Sequence, residues 1–154
     1  MEGHRIYFSE SASILGRLGN GFSSIAVNRG AHGRPVEIAL MGSDGTGVKI
    51  TARMNELGDR QEVGSLVFSN TSKRVLLPVP VSIHFSDIDH IDKLVIDFMG
   101  YEIESGLLLS SRAGHELMIV AGAMPLTIEY RIDGVSQDFQ PEFDASYYRR
   151  ERLL

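Results

Sequence analysis

The stretch VEIALMGSDGTGVKITARM restricts the possible folds more than any other part of this chain. Val36, Ile38 and Leu40 alternate with other residues, Asp44-Gly45 follows, and Val48, Ile50 and Ala52 alternate on the way back. Successive side chains on a strand point to opposite faces, so each arm presents one apolar face to a core. Asp-Gly readily takes the positive φ angles of a tight reversal, and the stretch therefore predicts a hairpin. Sixteen glycines punctuate similar short β-branched and aromatic runs elsewhere. The chain reads as mainly β, or α+β with little helix, built from short antiparallel strands and hairpins.

Further strands are expected at Arg5 to Phe8 and around Ile25 and Val27 after the Asn20-Gly21 turn. In the second half they are expected at Val81 to Phe85, Leu94 to Phe98, Leu107 to Ser110, Glu116 to Val120 and Leu126 to Ile132. Asn55 to Ser65 is polar with two glycines and no sustained apolar period, which predicts an exposed loop. In LLPVPV, Pro78 and Pro80 hold an extended chain but donate no ladder hydrogen bond, so the midpoint connection is placed there. In the tail, Asp144 is a candidate N-cap for a short helix over Ala145 to Leu153, ending in Arg149, Arg150 and Arg152.

At 154 residues and 43% hydrophobic, the chain has the size and apolar content of a single domain, 1–154. Sliding the first half by 69 positions sets Ile25 and Val27 on Leu94 and Ile96, Leu40 on Leu109, Gly45 on Gly114 and Ile50 on Ile119. Two readings fit this match: pseudo-repeat halves 1–75 and 79–135 with a tail 136–154, or a strand-and-turn grammar shared without duplication.

Zero cysteines remove disulfide scaffolds, thiolate metal sites and thiol nucleophiles, and agree with a cytoplasmic setting. The start MEGHRIYFSE has neither a basic nor an apolar leader segment, and no apolar run is long enough to span a bilayer, so no membrane association is expected. A formal charge of -5 repels a phosphate backbone and argues against nucleic acid. Twelve of the fifteen bases are arginine, the cation favoured at protein interfaces.

VSIHFSDIDHID is the densest run of potential ligands. Val81, Ile83 and Phe85 alternate with Ser82, His84 and Ser86, which turns His84 outward. Ser86 then caps a turn through Asp92, with Ile88 and Ile91 both directed at the core. A metal site needs three or four converging ligands, and this run supplies His84, Asp87 and His90 only if a distant residue such as His32 or His115 completes the set. HELMI has Ile119 where the zinc-protease helix needs its second histidine. GSDGTGVK has Val48 where a phosphate-binding loop needs lysine.

The resulting expectation is a small binding protein of the adaptor or immunity kind, leaning away from an enzyme and with no cofactor. Its partner is another protein or a second copy of itself. The candidate interaction residues are Glu56, Asp59, Arg60 and Glu62 in the acidic loop, and Tyr147, Tyr148, Arg149 and Arg150 in the tail, where tyrosine and arginine are residue types enriched at interface centres. The alternative is a metal-assisted hydrolase or small-ligand binder using His84, Asp87 and His90.

Overall fold

A computed structural model describes residues 4–7, 12–58, 60–72, 81–135 and 138–153. In chain order the elements are β1 (His4–Ile6), α1 (Ala12–Gly19), β2 (Phe22–Arg29), β3 (Pro35–Met41), β4 (Thr46–Gly58), β5 (Gln61–Ser72), β6 (Val81–Phe85), β7 (Ile88–Phe98), β8 (Tyr101–Ser111), β9 (Glu116–Ala121), β10 (Ile128–Ile132) and β11 (Arg149–Arg152). The fold is mainly β with little helix. Sheet I runs β5-β4-β3-β2-β6; sheet II runs β10-β9-β8-β7-β11, with β1 pairing in parallel to the start of β8.

Each sheet is a four-strand antiparallel meander, β2 to β5 or β7 to β10, whose next strand folds back beside the first. Adding 69 carries β2 onto residues 91–98 inside β7, β3 onto 104–110 inside β8, and β6 onto 150–154 across β11. Val81–Phe85 pairs with β2 in sheet I, and the tail's Arg149–Arg152 pairs with β7 in sheet II.

The hairpin read from the sequence forms, with Leu40 opposite Val48 and Ile38 opposite Ile50. Asp44 Oδ1 accepts from the Thr46 amide at 3.0 Å and from its hydroxyl at 2.8 Å, while Gly45 sits at φ 82°. These hydrogen bonds from Thr46, with Arg17 adding to them, hold the Asp44 carboxyl down at about 2.

The inter-sheet core joins Ile38, Leu40, Val48, Ile50, Leu66 and Phe85 of sheet I to Ile91, Leu107, Leu109, Leu117, Ile119 and Ile128 of sheet II. Ile14 and Leu18 of α1 close one side of it. Burial of each such side chain contributes roughly 1.5–3 kcal/mol. A second apolar cluster joins Leu94, Ile96, Leu108, Met118 and Val120 to Tyr148, with Phe98, Phe139 and Phe143 packed against them. Leu108 stands between Leu107 and Leu109, so it projects from the other face of β8, where the chain around 139–148 covers the sheet.

Four expectations change in the structure. Asn55 to Ser65 is a hairpin, with Asn55 opposite Val63 and Glu56 opposite Glu62 across β4 and β5; Val63 to Leu66 are buried, and that tertiary burial overrides the polar composition. The turn expected through Asp92 is only a bend at Ser86 and Asp87. From Ile88 the chain is strand, with Asp89 an extra residue in a bulge, although Ile88 and Ile91 do both meet the core. The short C-terminal helix is present as one 3-10 turn, Ala145–Tyr147, capped by Asp144 accepting from the Ser146 amide at 2.9 Å, but it ends there and does not reach Leu153. Arg149–Arg152 then pair as a strand, because the open edge of β7 offers a continuous ladder. Finally, helix α1 forms where no helix was expected. Gly21 at φ 84° ends its exit turn, and a Cβ there would lie 2.5 Å from the Ser86 carbonyl oxygen. Phe8, Pro78 and Pro80 lie outside the described residues. No helix among the described residues is long and apolar enough to cross a membrane.

Candidate functional site

The residues of the metal reading go to separate partners. Asp87 Oδ1 accepts from Arg112 Nε at 3.0 Å. His90 Nδ1 lies 2.9 Å from Asp89 Oδ2, and this hydrogen bond lowers the Asp89 pKa. The buried Asp92 accepts from Arg152 Nε at 3.0 Å. The His32 ring accepts from the Arg34 amide within its own turn. His90 Nε2 also lies 3.6 Å from Asp92 Oδ2, and the His84 and His115 rings come together with centroids 5.7 Å apart. Among the described residues no three histidine, aspartate or glutamate side chains gather into a metal-binding group.

The interaction residues separate in the same way. Glu56 and Glu62 flank a hairpin tip where Arg60 sits at φ 62°, and Asp59 lies outside the described residues. Tyr147 is 70% exposed, whereas Tyr148 is 8% exposed and belongs to the second apolar cluster. Tyr148 is therefore a wall of the protein interior, not an exposed anchor. The backbone changes direction between the 3-10 turn and β11, which sends neighbouring tyrosines to opposite sides. Burial raises the Tyr148 phenol well above its ordinary value.

Arg149 is held in a charged network. It bonds Asp97, Glu102 and Glu151, while Arg5 bonds Glu102 at 2.8 Å, the buried Glu104 at 2.8 Å and Glu151 at 2.6 Å. Lys93 Nζ completes it, 3.1 Å from Glu104. The hydrogen bond that Arg5 donates to Glu151 leads both in raising the Arg5 pKa and in lowering that of Glu151. These pairs join β1, β7, β8 and β11 side by side. Their evident role is to fasten short edge strands to sheet II.

Arg150 has a different setting. It lies at a groove of about 110 Å³ on the outer face of sheet II. Leu94, Leu108 and Met118, at most 7% exposed, form the floor, Tyr148 and Ala145 stand on one side, and Glu116, Arg131 and Arg150 supply the charge. Arg131 and Arg150 form no ion pair among the described residues. The Arg131 guanidinium lies 4.9 Å from the centroid of the Phe139 ring.

Arg131 also borders a second groove of about 210 Å³ at the edge of β10, with Arg29 and Arg34. Arg34 is neutralised there by the buried Glu129, at 2.5 Å, and by Asp138, at 2.5 Å. Arg29 donates to the Gly33 carbonyl at 2.9 Å. The two grooves thus meet at Arg131, on a chain whose net charge is -5.

Sequence reasoning missed Arg131 and the floor of the outer groove. The available signal was Leu107-Leu108-Leu109, an unbroken apolar run that requires cover on both faces of the strand. Comparisons with protein-family models, with curated proteins and with solved structures find no match to this chain.

Proposed function

We propose that this protein is a non-enzymatic binding module that recognises an extended acidic segment of a partner protein. The segment lays one apolar side chain into the groove over Leu94, Leu108 and Met118, beside Tyr148. The supporting observation is the pairing of that small groove, floored by Leu94, Leu108 and Met118, with two arginines, Arg131 and Arg150, that have no carboxylate partner among the described residues. A volume of about 110 Å³ suits one side chain of leucine or methionine size. Guanidinium groups beside such an anchor favour flanking Asp or Glu, because carboxylates match their fork of donors. Glu116 on the same rim disfavours an acidic residue next to it and so gives the segment a direction. The absence of cysteine supports a cytoplasmic meeting place.

The test is a fluorescence-anisotropy panel of synthetic nine-residue peptides with a central Leu or Met flanked by Asp and Glu, against the same peptides with Lys flanks or a central Ser. The proposal expects binding only with acidic flanks and an apolar centre, weakened at least tenfold by R150E and by R131E. Equal binding of Lys-flanked peptides, or affinity unchanged in both variants, would overturn it.

A further inference from the structure

We propose that His84 and His115 form a two-histidine chelate for a borderline transition-metal ion such as Zn²⁺ or Ni²⁺. This site lies apart from the arginine-rimmed groove and does not depend on it. His84 is exposed on β6, the edge strand of sheet I, and His115 stands in the turn between β8 and β9 of sheet II. Their ring centroids are 5.7 Å apart. An ion bound about 2.0–2.1 Å from one nitrogen of each ring, in tetrahedral geometry, holds the centroids roughly 5 Å apart, close to the separation of these two rings.

The proton on His115 is fixed by its neighbour. Its Nδ1 lies 2.8 Å from Asp133 Oδ2. An ionised carboxylate only accepts, so Nδ1 carries the hydrogen and Nε2 presents its lone pair. This is the orienting arrangement found behind metal-bound histidines. Asp133 is itself held in place: its Oδ1 accepts from the Glu116 amide at 2.8 Å, and its backbone sits at φ 55° in the turn after β10. A carboxylate-oriented imidazole beside a second, adjustable imidazole provides nitrogen donors that select Zn²⁺, Ni²⁺ or Cu²⁺ over Mg²⁺ and Ca²⁺. Water supplies the remaining ligands. Because the two ligands come from different sheets, the bound ion ties the sheets together at this end.

The test is isothermal titration of the tag-free protein with Zn²⁺, Ni²⁺ and Mg²⁺, read beside the histidine ring proton shifts in NMR. The expected result is one site for Zn²⁺ and Ni²⁺, none for Mg²⁺, and shifts confined to His84 and His115. Kd should rise at least tenfold in H84A and in H115A, and about tenfold in D133N through loss of the orienting partner. H90A and H32A should leave it unchanged. His84 is exposed, so H84A remains interpretable even if H115A or D133N disturbs its turn. Zn²⁺ affinity equal in H84A and the parent protein, or shifts centred on His90 or His32, would overturn the proposal.

Discussion

Both carboxylate oxygens of Glu142 accept from the Gly64 amide, at 3.0 and 3.1 Å. A side chain from the C-terminal segment thereby occupies a backbone donor on β5, the edge strand of sheet I. Glycine at 64 also admits Ala121 of β9: a Cβ at residue 64 would lie 2.6 Å from that of Ala121. Burial pushes the Glu142 carboxyl up from 4.5 to about 7, against the opposing effect of the Gly64 hydrogen bond.

That shift sets a pH dependence. Between pH 4.5 and about 7 the folded protein holds a proton at Glu142 that the unfolded chain releases, so this group makes stability fall as pH rises through that window. After allowance for solvent screening, the effect is on the order of 1 kcal/mol. Glu142→Gln keeps an acceptor for Gly64 without a charge. Urea unfolding at pH 5 and pH 8 should show this variant gaining stability relative to the parent at the higher pH only. Parallel pH curves for the two proteins would contradict the assignment.

Arg34 and Glu129 make a second measurable pair. Glu129 is 3% exposed and accepts from Arg34 at 2.5 and 3.0 Å and from the Gln140 amide at 3.2 Å. Arg34→Ala leaves a buried carboxylate without its cation and should cost about 3–5 kcal/mol. Arg34→Met with Glu129→Leu removes both charges and should recover most of that loss, as read from a double-mutant cycle in chemical denaturation. Additive losses would mean that the pair is not coupled.

Met99 and Leu126 sit at φ 51° and 64° with 55% and 57% of their surface exposed. Left-handed backbone costs a residue with a Cβ roughly 1–2 kcal/mol, and exposed side chains recover little of this through packing. Met99→Asn and Leu126→Gly should each raise the thermal midpoint, by up to about 1 kcal/mol in stability. A fall in midpoint would show that these side chains pack more tightly than their exposure implies.

Residues whose local pattern and tertiary setting agreed were legible in advance. The inward faces of Leu40 and Val48 and the outward His84 follow from alternation with a period of two residues, a property of the strand alone. Asn55 to Ser65 failed that reading because its apolar members are few, and its burial depends on sheet II lying against it. Tyr147 and Tyr148 are chemically alike and adjacent, yet one is exposed and the other buried, and only the path of the chain between the 3-10 turn and β11 separates them. Of the candidate site, Arg150 could be named from residue type, while Arg131 and the apolar floor could not, because their alignment requires β7, β8, β9 and β10 to be paired first.

The sequence by itself determined a β-rich protein, the turn at Asp44-Gly45, the core faces of most strands and the lack of thiol chemistry. These follow from interactions within a few residues: alternating burial, turn stereochemistry and composition. The tertiary structure alone decided which charges met. It brought Arg5 to Glu104 and Glu151, Arg34 to Glu129, Glu142 to Gly64, and His84 to His115. Such pairings depend on strand order and on which sheet each edge strand joins, and the free energy that selects them comes from burial across the whole core.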